Sequence, residues 1–310
     1  MPNLNNATCL LCGMKFDGGG VTLTGKKPRD RKEADIVICN SCGHIQMWPL
    51  LSSEEEKEEY DNDSSVRFGK VKIADGSDFE TMRVKFAEWT KEHVNIYFDM
   101  LQEHENVLEI GAGYGFFMEA LNVCPERKFN IEGIEIGKFR LDNFVGGISH
   151  NINVLTDLSP NEHQQKYDCI ICMHVLEHIS KPVLFLNKIK AFLKPGGNVI
   201  FEVPNINCFL GEISAEYKDF MYMYEHCSYF SADTLRLVFE KAGYGVENIS
   251  THEIYSIENH CRWVREGVPF IKYNQMFLPH ERLEWINRIY KTEIGRRGKG
   301  FALTVQAKAI

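Results

Sequence analysis

No stretch of this 310-residue chain approaches the ~20 consecutive apolar residues that a helix needs to cross a bilayer. The opening residues, Met1 to Leu11, lack the basic and apolar regions of a secretory signal, so a cytoplasmic protein with no membrane partner is expected. Positive charge is also scarce: 35 Lys and Arg stand against 43 Asp and Glu, a formal net charge of −8. A general nucleic-acid binder shows a basic footprint that is missing here. The short basic runs, Lys26, Lys27, Arg29, Arg31 and Lys32, then Arg296, Arg297 and Lys299, read as solvated loops. Internal repeats and low-complexity tracts are absent too. What remains is 44% apolar and 25% charged, enough for one large α/β domain and a small accessory module.

Residues 1–50 form the accessory module, and 51–78 read as a polar linker holding a short Glu54–Tyr60 helix capped by Ser52 or Ser53. From Phe79 the apolar residues Phe79, Met82, Phe86, Trp89, Ile96 and Met100 recur at helical spacing, which predicts one amphipathic helix over 79–103. Strands are then expected at 106–110, 129–135, 152–155, 167–173, 198–203, 246–250 and 301–307. Helices at 115–121, 138–144, 182–193 and 234–242 alternate with them. Such alternation implies a parallel sheet covered on both faces, filling 79–310.

Ten cysteines occur without a secretion signal, and four are paired as Cys9-Leu-Leu-Cys12 and Cys39-Asn-Ser-Cys42. Two residues between thiols let a tight turn aim both at one ion, and two such turns complete a closed tetrahedral zinc site. Gly13 and Gly43 follow the pairs and suit the sharp knuckle. The gap between pairs calls for a hairpin, which Gly18-Gly19-Gly20 can turn. Cys169 and Cys172 share the same spacing but fall in an expected strand, where positions three apart face opposite sides. They read as core residues.

Val107-Leu-Glu109-Ile-Gly111-Ala-Gly113-Tyr-Gly115 carries a buried strand into a glycine turn and a helix. Glycines let backbone approach a ligand at the carboxyl end of a strand, where open α/β sheets bind. The spacing is G-x-G-x-G; Phe116 stands where a dinucleotide binder would have its last glycine. Glu135 ends the next strand, where a carboxylate can accept from two ribose hydroxyls, and Asp157 follows the third, in reach of an adenine edge.

With L-K-P-G-G-N-V-I-F-E-V-P-N and the run Tyr167 to His178 ending M-H-V-L-E-H, these segments resemble the class I S-adenosylmethionine methyltransferases over roughly residues 80–250. The resemblance implies a Rossmann-like seven-stranded sheet with an antiparallel last strand. It also implies cofactor contacts at Glu109, Gly111, Gly113, Glu135 and Asp157, with Met173 and His174 beside the methionine part. The zinc module together with Tyr224-Glu225-His226-Cys-Ser-Tyr229 resembles the deoxysugar C-methyltransferases and their relatives, which act on nucleotide-linked sugars. That resemblance places His178, Glu225 and His226 at the substrate. Those enzymes carry a long second domain after the sheet, whereas about 60 residues follow Ser250 here.

Methyl transfer to oxygen or carbon needs an oriented nucleophile and removal of a proton, a task suited to histidine. His226 is the first candidate base, with Glu225 beside it to favour the imidazolium and orient the ring. His178 is the second. The Tyr- and Met-rich segment 204–230 could form a lid, and 252–298, with Glu258 to Trp263, could close the far side. The expected function is methyl transfer to a small-molecule acceptor such as a nucleotide-linked sugar or another polysaccharide or secondary-metabolite precursor. One rival is an RNA methyltransferase using the zinc module as a grip. The charge opposes it, and His174-Val-Leu-Glu177 stands where the [N/D]-P-P-[Y/F] motif of base-amino enzymes would be. A non-catalytic cofactor-binding protein is the other rival.

Overall fold

The computed structural model describes residues 4, 7–29, 31–52, 55, 77–124, 127–155, 165–267 and 280–310. The elements begin with β1 (Val21–Leu23), β2 (Asp35–Cys39), β3 (Ile45–Trp48) and the helix α1 (Ser77–Leu101). Then follow β4 (Asn106–Ile110), α2 (Phe116–Asn122), β5 (Asn130–Ile134), α3 (Lys138–Asp142), β6 (Ile148–His150), β7 (Tyr167–Met173) and α4 (Pro182–Ile189). The chain continues through β8 (Leu193–Pro204), α5 (Phe209–Ile213), α6 (Ala215–Met221), β9 (Ser228–Tyr229) and α7 (Ala232–Lys241). It ends with β10 (Tyr244–His252), α8 (Ile257–Glu266), α9 (His280–Arg296) and β11 (Ala302–Ala309).

The large sheet has seven strands in the order β10-β11-β8-β7-β4-β5-β6. The five strands β8, β7, β4, β5 and β6 pair in parallel, and β11 inserts antiparallel between β8 and β10. Parallel strands covered on both faces must be apolar throughout, and the side chains divide as the period of two requires. Val107, Cys169, Ile171 and Ile200 join Tyr97, Leu101 and Phe117 on one face. Leu108, Cys172 and Phe201 join Phe185, Leu186 and Phe239 on the other. Cys169 and Cys172 therefore lie on opposite sides of the sheet and share no ion.

A second sheet runs β1-β2-β3-β9. Its fourth strand comes from the catalytic half of the chain: Ile45 pairs with Tyr229 and Gln46 with Ser228. Around this seam Ala34, Ile36 and Met47 share a core with Tyr217, Met221, Tyr222 and Trp263. The aromatic and methionine side chains expected to form a lid over 204–230 are thus packing, and that segment also contains two helices, α5 and α6, that its sequence pattern did not announce.

Two other expectations are corrected. The third parallel strand is Ile148–His150 rather than 152–155, because β5 pairs Glu132 with Ile148 and Ile134 with His150. Gly18, Gly19 and Gly20 do not turn the β1–β2 hairpin, which the 24–34 connection joins; they shape a short turn before β1. There the Gly20 α-carbon is so close to the Lys15 carbonyl that a Cβ would stand 2.1 Å from its oxygen. Most of the expected linker, including nearly all of the Glu54–Tyr60 helix, lies outside the described residues, although Ser52 and Glu55 do exchange the two bonds of a capping box.

The capping box at Ser231, which starts α7 directly after the seam, gives a test of local stability. Ser231→Ala should cost about 1 kcal/mol. Urea unfolding should show a lower midpoint with unchanged slope.

Candidate functional site

Strand β4 lies between β5 and β7, so chain order reverses there and a crevice opens at the carboxyl ends of the strands. The glycine turn floors it. Gly111, Gly113 and Gly115 all have positive φ, +76°, +58° and +78°. A Cβ on Gly111 would stand 2.2 Å from Val175 Cγ2, and one on Gly115 2.5 Å from the Gly146 nitrogen. Those two glycines serve close packing, whereas Gly113 faces open space and forms the cradle. Glu135, buried just beyond β5, ties the cradle down: it accepts from the backbone N–H of Gly113 (2.8 Å), Ile136 (2.9 Å) and Gly137 (2.7 Å). Glu109 is buried, and burial with the nearby Glu135 charge holds its carboxyl well above the usual range. Its Oε2 makes no hydrogen bond. The site thus holds one carboxylate braced by backbone donors, a bare glycine beside it and a buried carboxyl, Glu109, nearby.

The cleft runs from Gly111 and Glu135 past Asn153, Val154 and Leu155 to His174, His178 and Glu225. Asp157 lies outside the described residues. Met173 is buried at the end of β7. His174 takes a left-handed φ of 55°, uncommon for a residue with a side chain. Its Nε2 lies 2.6 Å from Glu202 and its Nδ1 3.3 Å from Glu177. Burial opposes its charge, but the Glu202 and Glu177 carboxylates prevail and raise it to about 10.

His178 behaves oppositely. Its Nδ1 lies 3.1 Å from the Glu225 carbonyl, and since a carbonyl only accepts, Nδ1 carries the proton and Nε2 the lone pair. Burial lowers its pKa and keeps the ring neutral. The His226 ring meets His178 edge-on at 4.7 Å. Burial, then the neighbouring His178, lowers His226 to about 3. The imidazolium expected at His226 is therefore not favoured, because burial outweighs the carboxylates nearby. The carboxylate that acts on His226 is that of Glu177, which sequence reasoning did not single out. Ligand atoms of Glu177, His178 and His226 fall within 4.8 Å of one another.

At the N-terminal sheet the four thiols of Cys9, Cys12, Cys39 and Cys42 also converge within 4.8 Å. Cys9 and Cys42 sulfurs are 3.5 Å apart, as are those of Cys12 and Cys39. Gly13 and Gly43 adopt φ of 75° and 72°, and each donates its N–H to the carbonyl of the first cysteine in its pair. Buried Gln46 on β3 clamps the first knuckle, accepting from Leu10 N–H at 2.9 Å and donating to the Thr8 carbonyl. Four sulfurs at this spacing are close to the ~3.8 Å edge of a zinc–thiolate tetrahedron with ~2.3 Å bonds.

The basic runs are engaged elsewhere in the fold. Lys26 pairs with Asp219, Lys27 with Asp35 and Arg31 with Glu33, while Arg29 lies 3.8 Å over the Phe220 ring. Arg296 and Arg297 pair with Glu293, and Lys299 with Glu212. Of the 252–298 candidates, Trp263 packs on Tyr217 and Phe220, and buried His260 contacts Tyr290.

Residues 81–249, more than half of the chain, match the family described as a methyltransferase domain. The ubiquinone biosynthesis O-methyltransferase of Proteus mirabilis is 31% identical over 125 residues, 36% of this chain and 49% of that protein. Its namesake from Stutzerimonas stutzeri is 26% identical over 125 residues, 38% of this chain and 50% of that protein. The chain spans about half the length of these curated relatives. Among solved structures, an S-adenosylmethionine-dependent methyltransferase from Thermotoga maritima shares the fold, with a TM-score of 0.50 at 17% identity over 79% of this chain and 98% of that one. Together with the sheet order and the glycine cradle, the match over residues 81–249 makes this chain a member of the methyltransferase-domain family, the class I S-adenosylmethionine-dependent methyltransferases.

Proposed function

We propose that the protein transfers the methyl group of S-adenosylmethionine to an oxygen or acidic carbon of a small-molecule acceptor, with His178 as the base. The observation that carries this reading is the continuity of the cleft from Glu135 to His178 and Glu225. The cofactor supplies a methyl group on a positively charged sulfur. Glu135, Gly113 and Glu109 would hold it. His178 Nε2, whose lone pair is fixed by the Nδ1–H bond to Glu225, would take the acceptor's proton as its nucleophile attacks in line. His226 backs the ring and holds its orientation.

Nucleotide-linked sugars are the acceptor class favoured by the cysteine module with the Tyr224-Glu225-His226 segment, and the names of the curated relatives favour transfer to oxygen. Label transfer from methyl-labelled cofactor to a panel of nucleotide sugars and phenolic acceptors is the test. Tight cofactor binding with no transfer to either class would overturn the acceptor assignment and favour a cofactor-binding protein. The internal pairing of the basic runs weighs against an RNA substrate.

The cysteine quartet is proposed to hold a structural zinc ion with no open position. Cys39→Ser should abolish the thiolate charge-transfer absorption of the cobalt-substituted protein and loosen residues 1–50, while cofactor affinity stays within a few-fold.

Glu135→Ala should weaken cofactor binding about tenfold or more by calorimetry, since charge-assisted hydrogen bonds are worth ~1.5–3 kcal/mol each. His178→Ala should lower single-turnover rate by ~10²–10⁴ with cofactor affinity nearly unchanged. A loss below threefold would place the base elsewhere.

His226 generates a pH dependence of stability. Its pKa is depressed to about 3 in the fold against about 6.5 unfolded. The stability is intact above about pH 6.5 and declines as pH falls toward about 3, because only the unfolded ring takes up the proton. His226→Gln should flatten this acid-side decline in unfolding titrations between pH 6.5 and 4.

A further inference from the structure

Beneath the cleft, one carboxylate gathers side chains from three other segments. Glu202 on β8 has no exposed surface. His93 of α1 approaches its Oε1 at 3.0 Å, His174 approaches the same oxygen at 2.6 Å, and His252 of β10 lies 3.2 Å from Oε2. Tyr97 donates to Oε2 and also meets Thr304 at 2.9 Å.

The convergence of two histidines on one buried carboxylate is the unusual feature. His93 Nδ1 lies 2.7 Å from the Trp89 carbonyl, which can only accept, so Nδ1 carries the proton. Its Nε2 faces a Glu202 carboxylate oxygen at 3.0 Å, at a site sealed from water. On the other side, Nε2 of His252 is buried against Glu202, while its Nδ1 meets Thr304 Oγ1 at 3.3 Å. Two imidazole nitrogens thus face one carboxylate, each with its other ring nitrogen held by an outer partner. That is how metal-ligating histidines are fixed. The Trp89 ring, stacked on His93 at 3.7 Å, holds it further. Ligand atoms of His93, Glu202 and His252 fall within 4.8 Å of one another, and donors bound cis at ~2.1 Å to one ion lie about 3 Å apart.

We propose that His93, His252 and Glu202 bind a divalent first-row transition ion, separate from the thiolate site, with His174 and Tyr97 buttressing the carboxylate. Two imidazoles and one carboxylate suit zinc, iron(II) or cobalt(II) and disfavour magnesium and calcium. The ion would cross-link α1 to β8 and β10 directly under the methionine end of the cleft. Its place in the core makes it a fastening of the cleft floor and keeps it out of the transfer step.

Cobalt(II) added to the metal-stripped full-length protein is the probe. Wild type should take up about two equivalents, one with thiolate charge-transfer bands and one showing only the weaker d–d bands of nitrogen and oxygen ligands. Cys39→Ser should keep the second and lose the first; His252→Gln should do the reverse, and its partly exposed ring makes it the substitution best tolerated by the fold. X-ray absorption of the zinc-loaded wild type should give a mixed sulfur and nitrogen/oxygen shell, a readout that needs no variant. A purely sulfur shell, or uptake of a single equivalent that Cys39→Ser removes, would overturn the proposal and leave the cluster held by protons. Retention of both equivalents by His252→Gln would overturn it as well.

Discussion

A carboxylate with no access to water is the constraint around which the large domain closes. An unpaired buried charge costs several kcal/mol even after relaxation. Glu202 therefore cannot be buried until its partners arrive, and they come from α1, the turn after β7 and β10, with Thr304 of β11 bonded to two of them. In sequence, His93 and Thr304 are far apart, yet both ends of this network must be present for any part of it to be satisfied. Apolar packing on the two faces of the sheet supplies the bulk of the stabilisation. The polar cluster adds the requirement that helix α1, the central strands and the antiparallel edge meet in one arrangement. Because His174 belongs to the cluster and to the cleft, the geometry of the binding site is inherited from the core.

A second dependency connects the cysteine module to the histidines. Strand β3 pairs with β9, Met47 N–H donates to the Cys227 carbonyl, Arg29 N–H donates to the Tyr222 carbonyl, and His44 Nε2 meets Ser228 Oγ at 3.1 Å. Between Tyr222 and Ser228 lies Glu225, whose carbonyl fixes the His178 tautomer. The thiols of Cys39 and Cys42 flank the turn into β3, so anything that orders that knuckle also orders the stretch of backbone beside the cleft. The module is part of the same structure as the cleft through shared strands and a shared core.

The parallel strands were legible because burial on both faces forces apolar runs: Asn106–Ile110 and Tyr167–Met173 match their expected limits. The glycine turn, Glu135 and the cysteine pairs were legible because each has a fixed local spacing. The helices α5 and α6 were not, since Tyr217, Met221 and Tyr222 are apolar on account of a partner surface more than 150 residues away. No periodicity encodes that. The third strand was misplaced for a similar reason: Ile152, Val154 and Leu155 are apolar because they line the cleft, while the strand that precedes them is short and half-exposed. The Glu202 cluster left one trace, a carboxylate within the run Val199 to Val203, but its three histidines lie on separate segments and only tertiary structure joins them. Glu177 was present in a recognised motif without an evident role until the fold set it against His174 and His226.

The seam between β3 and β9 also constrains how the chain can mature during synthesis. Residues 1–48 can form their knuckles and pair β1 with β2 and β2 with β3 early, but the outer edge of β3 gains its partner only when Ser228 and Tyr229 have been made. For the intervening ~180 residues, roughly 10–40 s at ordinary ribosome speed, the module carries an open strand edge and exposes Ile36 and Met47, which the finished protein buries completely. A nascent chain paused in this interval would be competent to pair with another of its kind, so the seam is a late joint and a place where misassembly would begin.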